Sequence, residues 1–105
     1  ILPLLLDLRA ARESLPDSSL PAVAGYPDGA ARVRWHLDRA RAAFEHHFGF
    51  RPAGCWPSEG AISEVAIAAI GQAGFRWTAS GGQVLHNSLA RAAQAPDCRH
   101  RAFRV

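Results

Sequence analysis

The clearest pattern of hydrophobic and polar positions lies between Asp28 and Phe48. Apolar side chains recur there at helical spacing and form one stripe, made up of Val33, Leu37, Ala40, Phe44 and Phe48. Two arginines flank each side of the stripe, where their stems can cover a core edge while the guanidinium groups reach water: Arg32 and Arg39, and Arg34 and Arg41. The pattern predicts an amphipathic helix that ends at Gly49. Trp35 projects away from the stripe.

A second helix is predicted from Glu64 to Ala73. Ser63 is a good N-cap residue and Gly74 is typical of a helix end. Apolar residues occupy most of its circumference, as in a helix covered on more than one side in a layered α/β protein. Partly apolar stretches on either side, residues 50–56 and 75–79, predict short strands. The order strand, helix, strand predicts a βαβ unit with parallel strands.

The remaining segments give weaker signals. Residues 1–15 fit either a buried strand or the start of a helix, and Pro3, which suits a first turn, favours a helix over residues 4–15. Residues 16–29 hold three prolines and two glycines, which predicts a loop. A short helix is predicted from Val84 to Ala95 and the start of a strand at 101–105. Because the chain lacks methionine, we expect it to be an internal fragment of a longer protein.

Composition narrows the function classes. With 105 residues, 49% of them apolar, the chain is one small globular domain or part of a larger one. The net charge is +3, but the 12 cations are arginines spread along the chain, so no nucleic-acid partner is predicted. The longest apolar stretch, Ile1–Leu6, is too short to span a membrane, and no membrane partner is predicted. Cys55 and Cys98 form no paired motif and predict free thiols in the cytoplasm.

Candidate chemistry concentrates in the stretch Gly54–Gly60. Glu59 follows a predicted buried strand, and parallel α/β folds bind ligands outside the carboxyl ends of their strands. Trp56 offers an aromatic face on which a sugar ring can lie. The alternative is that Glu59 simply favours the positive end of the following helix. Spacing alone leaves both interpretations open.

The same stretch resembles glycoside hydrolase family 57, which contains α-amylase-like and related α-glucan-acting enzymes. The resemblance rests on RPAGCWPSEGAIS at 51–63, followed by GFRWTA at 74–79 and Val84-Leu85. Weaker matches at 1–5 and 26–30 extend it over nearly the whole chain. It implies an α/β fold, a fragment of a (β/α)7-type barrel with parallel strands and about three βα steps. Residues 1–105 would then be a partial catalytic domain, incomplete at both ends and completed by the rest of the same polypeptide.

The resemblance also implies roles for residues. It implies a retaining glycosidase acting on α-glucan, with Glu59 as nucleophile and Trp56 and Trp77 lining the sugar site; His86 could reach the cleft. The family's general acid is an aspartate in a Trp-Thr-Ala-Thr-Asp-Glu pattern, and Gly81 stands at that position here. Retaining chemistry needs two carboxyl groups about 5 Å apart. The acid therefore comes from elsewhere, or the protein is a divergent or inactive relative.

Other readings stay open. One is a non-catalytic carbohydrate-binding or structural relative, and another is a free-standing α/β interaction module. No cofactor and no metal are expected, since adjacent helical residues such as His46 and His47 point about 100° apart. We expect the isolated fragment to be inactive.

Overall fold

Short helices and strands alternate over the part of the chain that the structure describes. The computed structural model describes residues 2–9, 19 and 25–91. The elements in chain order are helix α1 (Leu2–Leu6), helix α2 (Gly29–Phe48), strand β1 (Gly54–Cys55), a 3₁₀ turn (Ser58–Gly60), helix α3 (Glu64–Gln72), strand β2 (Trp77–Thr78) and helix α4 (Gly82–Arg91). Most of the predicted loop at 16–29, the end of the helix predicted at 84–95 and the strand predicted at 101–105 lie outside the described residues.

The predicted βαβ unit is confirmed. Strands β1 and β2 pair in parallel, with Gly54 opposite Trp77 and Cys55 opposite Thr78. Helix α3 makes the connection between them. Each strand has two residues, fewer than predicted, and the prolines on either side of β1, Pro52 and Pro57, cannot donate to a ladder. The bond from the Arg76 N–H to the Ala53 carbonyl (2.8 Å) extends the pairing by one step.

The two main helices begin and end where the sequence predicts. Helix α2 ends at Gly49, which has φ 76° and donates its N–H to the Glu45 carbonyl. Helix α3 begins after Ser63, whose hydroxyl oxygen accepts a 3.2 Å hydrogen bond from the Ala66 N–H. Side-chain caps and a left-handed glycine satisfy the backbone groups that a helix end leaves unpaired. Helix α1 begins two residues before its predicted start, with Pro3 in its first turn, and ends at Leu6, short of the predicted end at residue 15. Residues 10–15 lie outside the described ranges.

The hydrophobic core lies between α1, the first half of α2, and α3. Its buried centre consists of Val33, Leu37, Ile70 and Phe75. The predicted stripe of α2 is therefore buried only over its first half. Ala40 and Phe48 are exposed and Phe44 is half-buried, because α1 and α3 cover the first half of the helix. Phe44 instead packs against Phe48 and Phe50, with ring centroids 4.5 and 5.3 Å apart. Trp35 is exposed, as predicted.

Arg41 corrects the expectation that the flanking arginines only reach water. Its Nη1 donates to the carbonyl of Ala73 at the end of α3. Its guanidinium also lies 5.8 Å from the centre of the Phe75 ring. A cation is favourable at a helix C-terminus because free carbonyls concentrate there. Arg41 thus ties α2 to the point where the chain leaves α3 toward β2.

None of the helices in the described ranges combines the length and the apolar character needed to cross a membrane.

Helix α1 crosses α2 at Gly29, and the contact leaves no room for a side chain. A Cβ atom added at Gly29 would collide with the carbonyl of Leu5. We expect Gly29→Ala to lower the free energy of unfolding by about 1–3 kcal/mol, as overpacking does in other cores. Gly71→Ala is the control, because nothing lies within 4 Å of its added Cβ in the exposed part of α3. It should stabilise the protein by about 0.5–1 kcal/mol. If urea unfolding shows the same change in the free energy of unfolding for Gly29→Ala and Gly71→Ala, this account of the α1–α2 contact is wrong.

Candidate active site

Glu59 lies in a tight turn directly after β1. The chain leaves β1 at Cys55 and forms one 3₁₀ turn over Ser58–Gly60. The Gly60 N–H donates to the Pro57 carbonyl (2.9 Å) and the Ala61 N–H donates to the Ser58 carbonyl (3.2 Å). The turn therefore stands at the carboxyl end of its strand, the edge at which parallel α/β folds bind ligands.

The backbone of Glu59 is left-handed, with φ 59° and ψ 13°. This conformation costs a residue with a side chain about 1–2 kcal/mol. Such conformations cluster at functional sites, where the surrounding structure holds them in place. The Glu59 side chain is exposed, and its carboxylate forms no hydrogen bond or ion pair with the described residues. It is thus available to a ligand.

The helix-end alternative for Glu59 is not supported by the contacts. Helix α3 begins at Glu64, which is the acidic residue in its first turn. Ser63 caps the helix through its hydroxyl. Glu59 belongs to a separate turn that ends before this cap. The favourable position for a negative charge at the start of α3 is already occupied by Glu64.

The turn that carries Glu59 lies against the loop that follows β2. The Ser80 hydroxyl donates a 2.8 Å hydrogen bond to the Gly60 carbonyl. A Cβ atom added at Gly60 would lie 2.9 Å from the Gly81 nitrogen, too close for any side chain. Gly60 also has φ 65°, which independently favours glycine. The structure thus brings together the turn of the predicted nucleophile and the position at which the family pattern has its acid.

Gly81 itself sits in open space. Apart from its chain neighbours, no heavy atom of the described residues lies within 4 Å of a Cβ atom added there, and its φ is outside the left-handed region. The backbone at 81 would therefore accept a side chain. In this sequence no carboxyl group stands at that position.

Two tryptophans expose aromatic surface, Trp56 beside the turn and Trp77 on β2. Trp56 is 61% exposed, and its Cζ2 would lie 3.6 Å from a Cβ at Gly60, so the indole flanks the Glu59 turn. Trp77 is 59% exposed, and its indole lies so close over Gly54 that any side chain there would collide with it. Packing against the backbone of β1 limits the motion of the Trp77 ring. Both indoles keep a surface open to a ligand.

The two faces of the sheet differ. Cys55 packs against the core, whereas Trp77 and its partner Gly54 lie on the opposite face, since neighbouring residues of a strand alternate. Burial raises the pKa of the Cys55 thiol. The thiol is therefore protonated near neutral pH, which makes it a poor nucleophile. Cys55 is a free, core-facing residue.

His86 is exposed on α4, and within the described ranges no hydrogen bond or ring contact joins it to Glu59, Trp56 or Trp77. Within the same ranges, no three His, Cys, Asp or Glu residues come together as metal ligands would. A groove of about 290 Å³ between α1, α2 and α3 is lined by residues such as Val33, Leu37 and Ala69, and it does not include Glu59.

A parallel βαβ unit is characteristic of an α/β protein, and the edge at the carboxyl end of β1 is its candidate ligand site. That edge bears the exposed Trp56 indole and a Glu59 carboxylate without a partner among the described residues. Comparison with protein families makes the assignment specific. The chain belongs to glycosyl hydrolase family 57, whose family model matches residues 1–101. A search of curated proteins and a search of solved structures each found no match.

This match confirms the predicted family, which is a family of glycoside hydrolases and points to a carbohydrate substrate. It also implies a (β/α)7 barrel. The described residues contain one βαβ unit followed by α4, which is compatible with consecutive βα steps. The closed barrel and the number of steps stay predictions.

The left-handed backbone at Glu59 can be tested by its effect on stability. We expect Glu59→Gly to be more stable than Glu59→Ala by about 0.5–1 kcal/mol, because glycine adopts this conformation without steric cost. The opposite order is expected at Ala68, an exposed residue in the middle of α3, where Ala68→Gly should be about 1 kcal/mol less stable than the parent. Urea unfolding of the parent and the three variants measures both differences. Alanine more stable than glycine at both positions would mean that residue 59 is not left-handed in solution.

Proposed function

We propose that this chain carries the nucleophile of a retaining glycoside hydrolase that acts on α-glucan polysaccharides or oligosaccharides. Glu59 is the nucleophile, and Trp56 and Trp77 line the sugar site. The observation that carries the proposal is the strained turn at the carboxyl end of β1, which presents an exposed, unpaired carboxylate beside the loop after β2. The α-glucan substrate rests on the sequence resemblance alone.

The proposed chemistry is a double displacement. A carboxylate oxygen of Glu59 attacks the anomeric carbon while the glycosidic C–O bond breaks and an acid protonates the leaving oxygen. Water then attacks the same carbon, gives its proton to the conjugate base of that acid and releases Glu59. The two inversions restore the original configuration. A carboxylate without competing hydrogen bonds, such as that of Glu59, suits the first step.

The exposed indoles suit the binding of a sugar. An aromatic face buries the apolar C–H surface of a pyranose ring and leaves its hydroxyls free to hydrogen-bond. Trp77 is already packed on Gly54, so ordering it on binding costs little conformational entropy. His86, which is exposed on α4, stays a predicted contact of the sugar. The proposal includes a cytoplasmic location, which rests on the sequence alone.

We also propose that further polypeptide completes the barrel around this unit. Helix α3 packs on the sheet face that bears Cys55 and leaves the opposite face, which bears Trp77, uncovered by the βαβ unit. In a (β/α) barrel the inner face of the sheet is filled by side chains from the other strands. Exposed Phe48, Phe50 and Val65 add apolar surface that a larger domain would cover. The general acid would then come from another part of that domain.

The nucleophile assignment is tested by Glu59→Gln in the intact protein. The amide keeps the shape of the side chain but cannot form the glycosyl ester, so turnover of an α-glucan should fall by about 10³-fold or more. Glycan binding should persist, and the free energy of unfolding should change by less than about 0.5 kcal/mol because the side chain is exposed. Glu64→Gln, five residues further along, is the matched control and should keep full activity.

A second variant makes the test more specific. Glu59→Ala leaves space for a small nucleophile, so added azide should restore turnover and give a glycosyl azide of inverted configuration. Turnover of Glu59→Gln within about tenfold of the parent would exclude Glu59 as the nucleophile.

A non-catalytic carbohydrate-binding relative is the second candidate, favoured by Gly81 at the position of the family's acid. The open space at 81 allows a direct test with Gly81→Asp. We expect this variant to fold, with its free energy of unfolding changed by less than about 0.5 kcal/mol. Gly60→Ala should lower the free energy of unfolding by about 1–3 kcal/mol, because position 60 is crowded and has a left-handed backbone. Under our proposal the parent is active, and Gly81→Asp changes turnover little. A parent that binds glycan without turnover, and gains turnover with Gly81→Asp, would establish the binding relative instead.

A further inference from the structure

One side chain of the loop after β2, Ser80, forms a hydrogen bond with the Glu59 turn. The Ser80 hydroxyl donates to the Gly60 carbonyl at 2.8 Å, across 20 positions of sequence. Ser80 is half-buried, so water competes only partly for this bond. Within the described ranges, no other side chain forms a hydrogen bond with residues 58–60.

The turn needs support from outside. Its two internal bonds, from Gly60 to Pro57 and from Ala61 to Ser58, close the 3₁₀ turn but do not fix it against β2. Glu59 and Gly60 are left-handed in succession, with φ values of 59° and 65°. A strained conformation persists only where neighbouring structure determines it. The Ser80 bond lies immediately after the strained residue, at the carbonyl of Gly60.

We propose that Ser80 is a positioning residue that holds the Glu59 carboxylate in its attacking orientation by anchoring the Gly60 carbonyl. The inference rests on the proposed function of Glu59 as nucleophile. Loss of the Ser80 hydroxyl frees the carbonyl to rotate, and the left-handed pair relaxes. The carboxylate then moves away from the place where the anomeric carbon binds, although no atom of Ser80 contacts the sugar.

The same loop contains a matched control. The Thr78 hydroxyl donates a 2.8 Å bond to the Cys55 carbonyl, so it is equal in type and length to the Ser80 bond and lies two residues earlier. It ties β2 to β1 and does not touch the Glu59 turn. A merely structural role for Ser80 predicts that Thr78→Val and Ser80→Ala behave alike. A positioning role predicts that they differ.

The experiment compares Ser80→Ala, Ser80→Thr and Thr78→Val in the intact protein, with maltooligosaccharide as the probe. For Ser80→Ala we expect kcat to fall about 100-fold, the effect of a displacement near 1 Å, while KM stays within about threefold. Ser80→Thr keeps a hydroxyl and should restore most of the kcat. Thr78→Val should keep kcat within about threefold of the parent. Ser80→Cys, which has a weak donor, serves if the alanine variant does not fold, and its kcat should be intermediate.

Amide hydrogen exchange provides a readout that does not depend on activity. The N–H groups of Gly60 and Ala61 should exchange faster in Ser80→Ala and at the parent rate in Thr78→Val. If Glu59→Gln abolishes turnover but Ser80→Ala keeps its kcat, the positioning role is overturned while the proposed function stands. If Glu59→Gln keeps its turnover, the nucleophile assignment fails, and exchange at these two amides alone decides whether Ser80 holds the turn. If the Gly60 and Ala61 amides exchange at the parent rate in Ser80→Ala, Ser80 does not hold the turn.

Discussion

The parallel pairing of β1 with β2 is the interaction on which the rest of the described structure depends. It is only two residues long, and it forms because Gly54 has no side chain and lets the Trp77 indole lie across the backbone. A parallel pair requires a crossover, and α3 supplies it while burying Ala66 and Ile70. Arg41 holds the end of α3 from the other side, at the Ala73 carbonyl. Once the two strands are side by side, the loops that follow them must meet.

The meeting of those loops explains how a strained glutamate is maintained in a small unit. A left-handed residue with a side chain costs about 1–2 kcal/mol, which is a large fraction of the stability of a domain of this size. Packing of Gly60 under the Gly81 backbone and the Ser80 hydrogen bond both depend on the register of β1 and β2. The conformation at Glu59 is therefore a consequence of tertiary structure and not of the local sequence. A shift of the strand register would release it.

The helices and the βαβ order were predictable because their signals are local. Helical spacing in α2, the Ser63 cap and the glycine after each helix all lie within a few residues of the structure that they specify. The position of Glu59 after a strand followed from the same order. Contacts between distant positions were not visible: the exposure of Phe48, the bond from Arg41 to Ala73 and the bond from Ser80 to Gly60 depend on which elements pack together.

Three glycines near the site differ in whether the fold requires them. Gly54 must be glycine because the Trp77 ring occupies the space of a side chain, and Gly60 must be glycine because of its left-handed backbone and its contact with Gly81. Gly81 meets neither condition, since its φ is ordinary and its surroundings are open. The lack of a carboxyl group at 81 is therefore not a requirement of folding. It is a difference in chemistry, beside a turn that still holds its glutamate in a strained conformation.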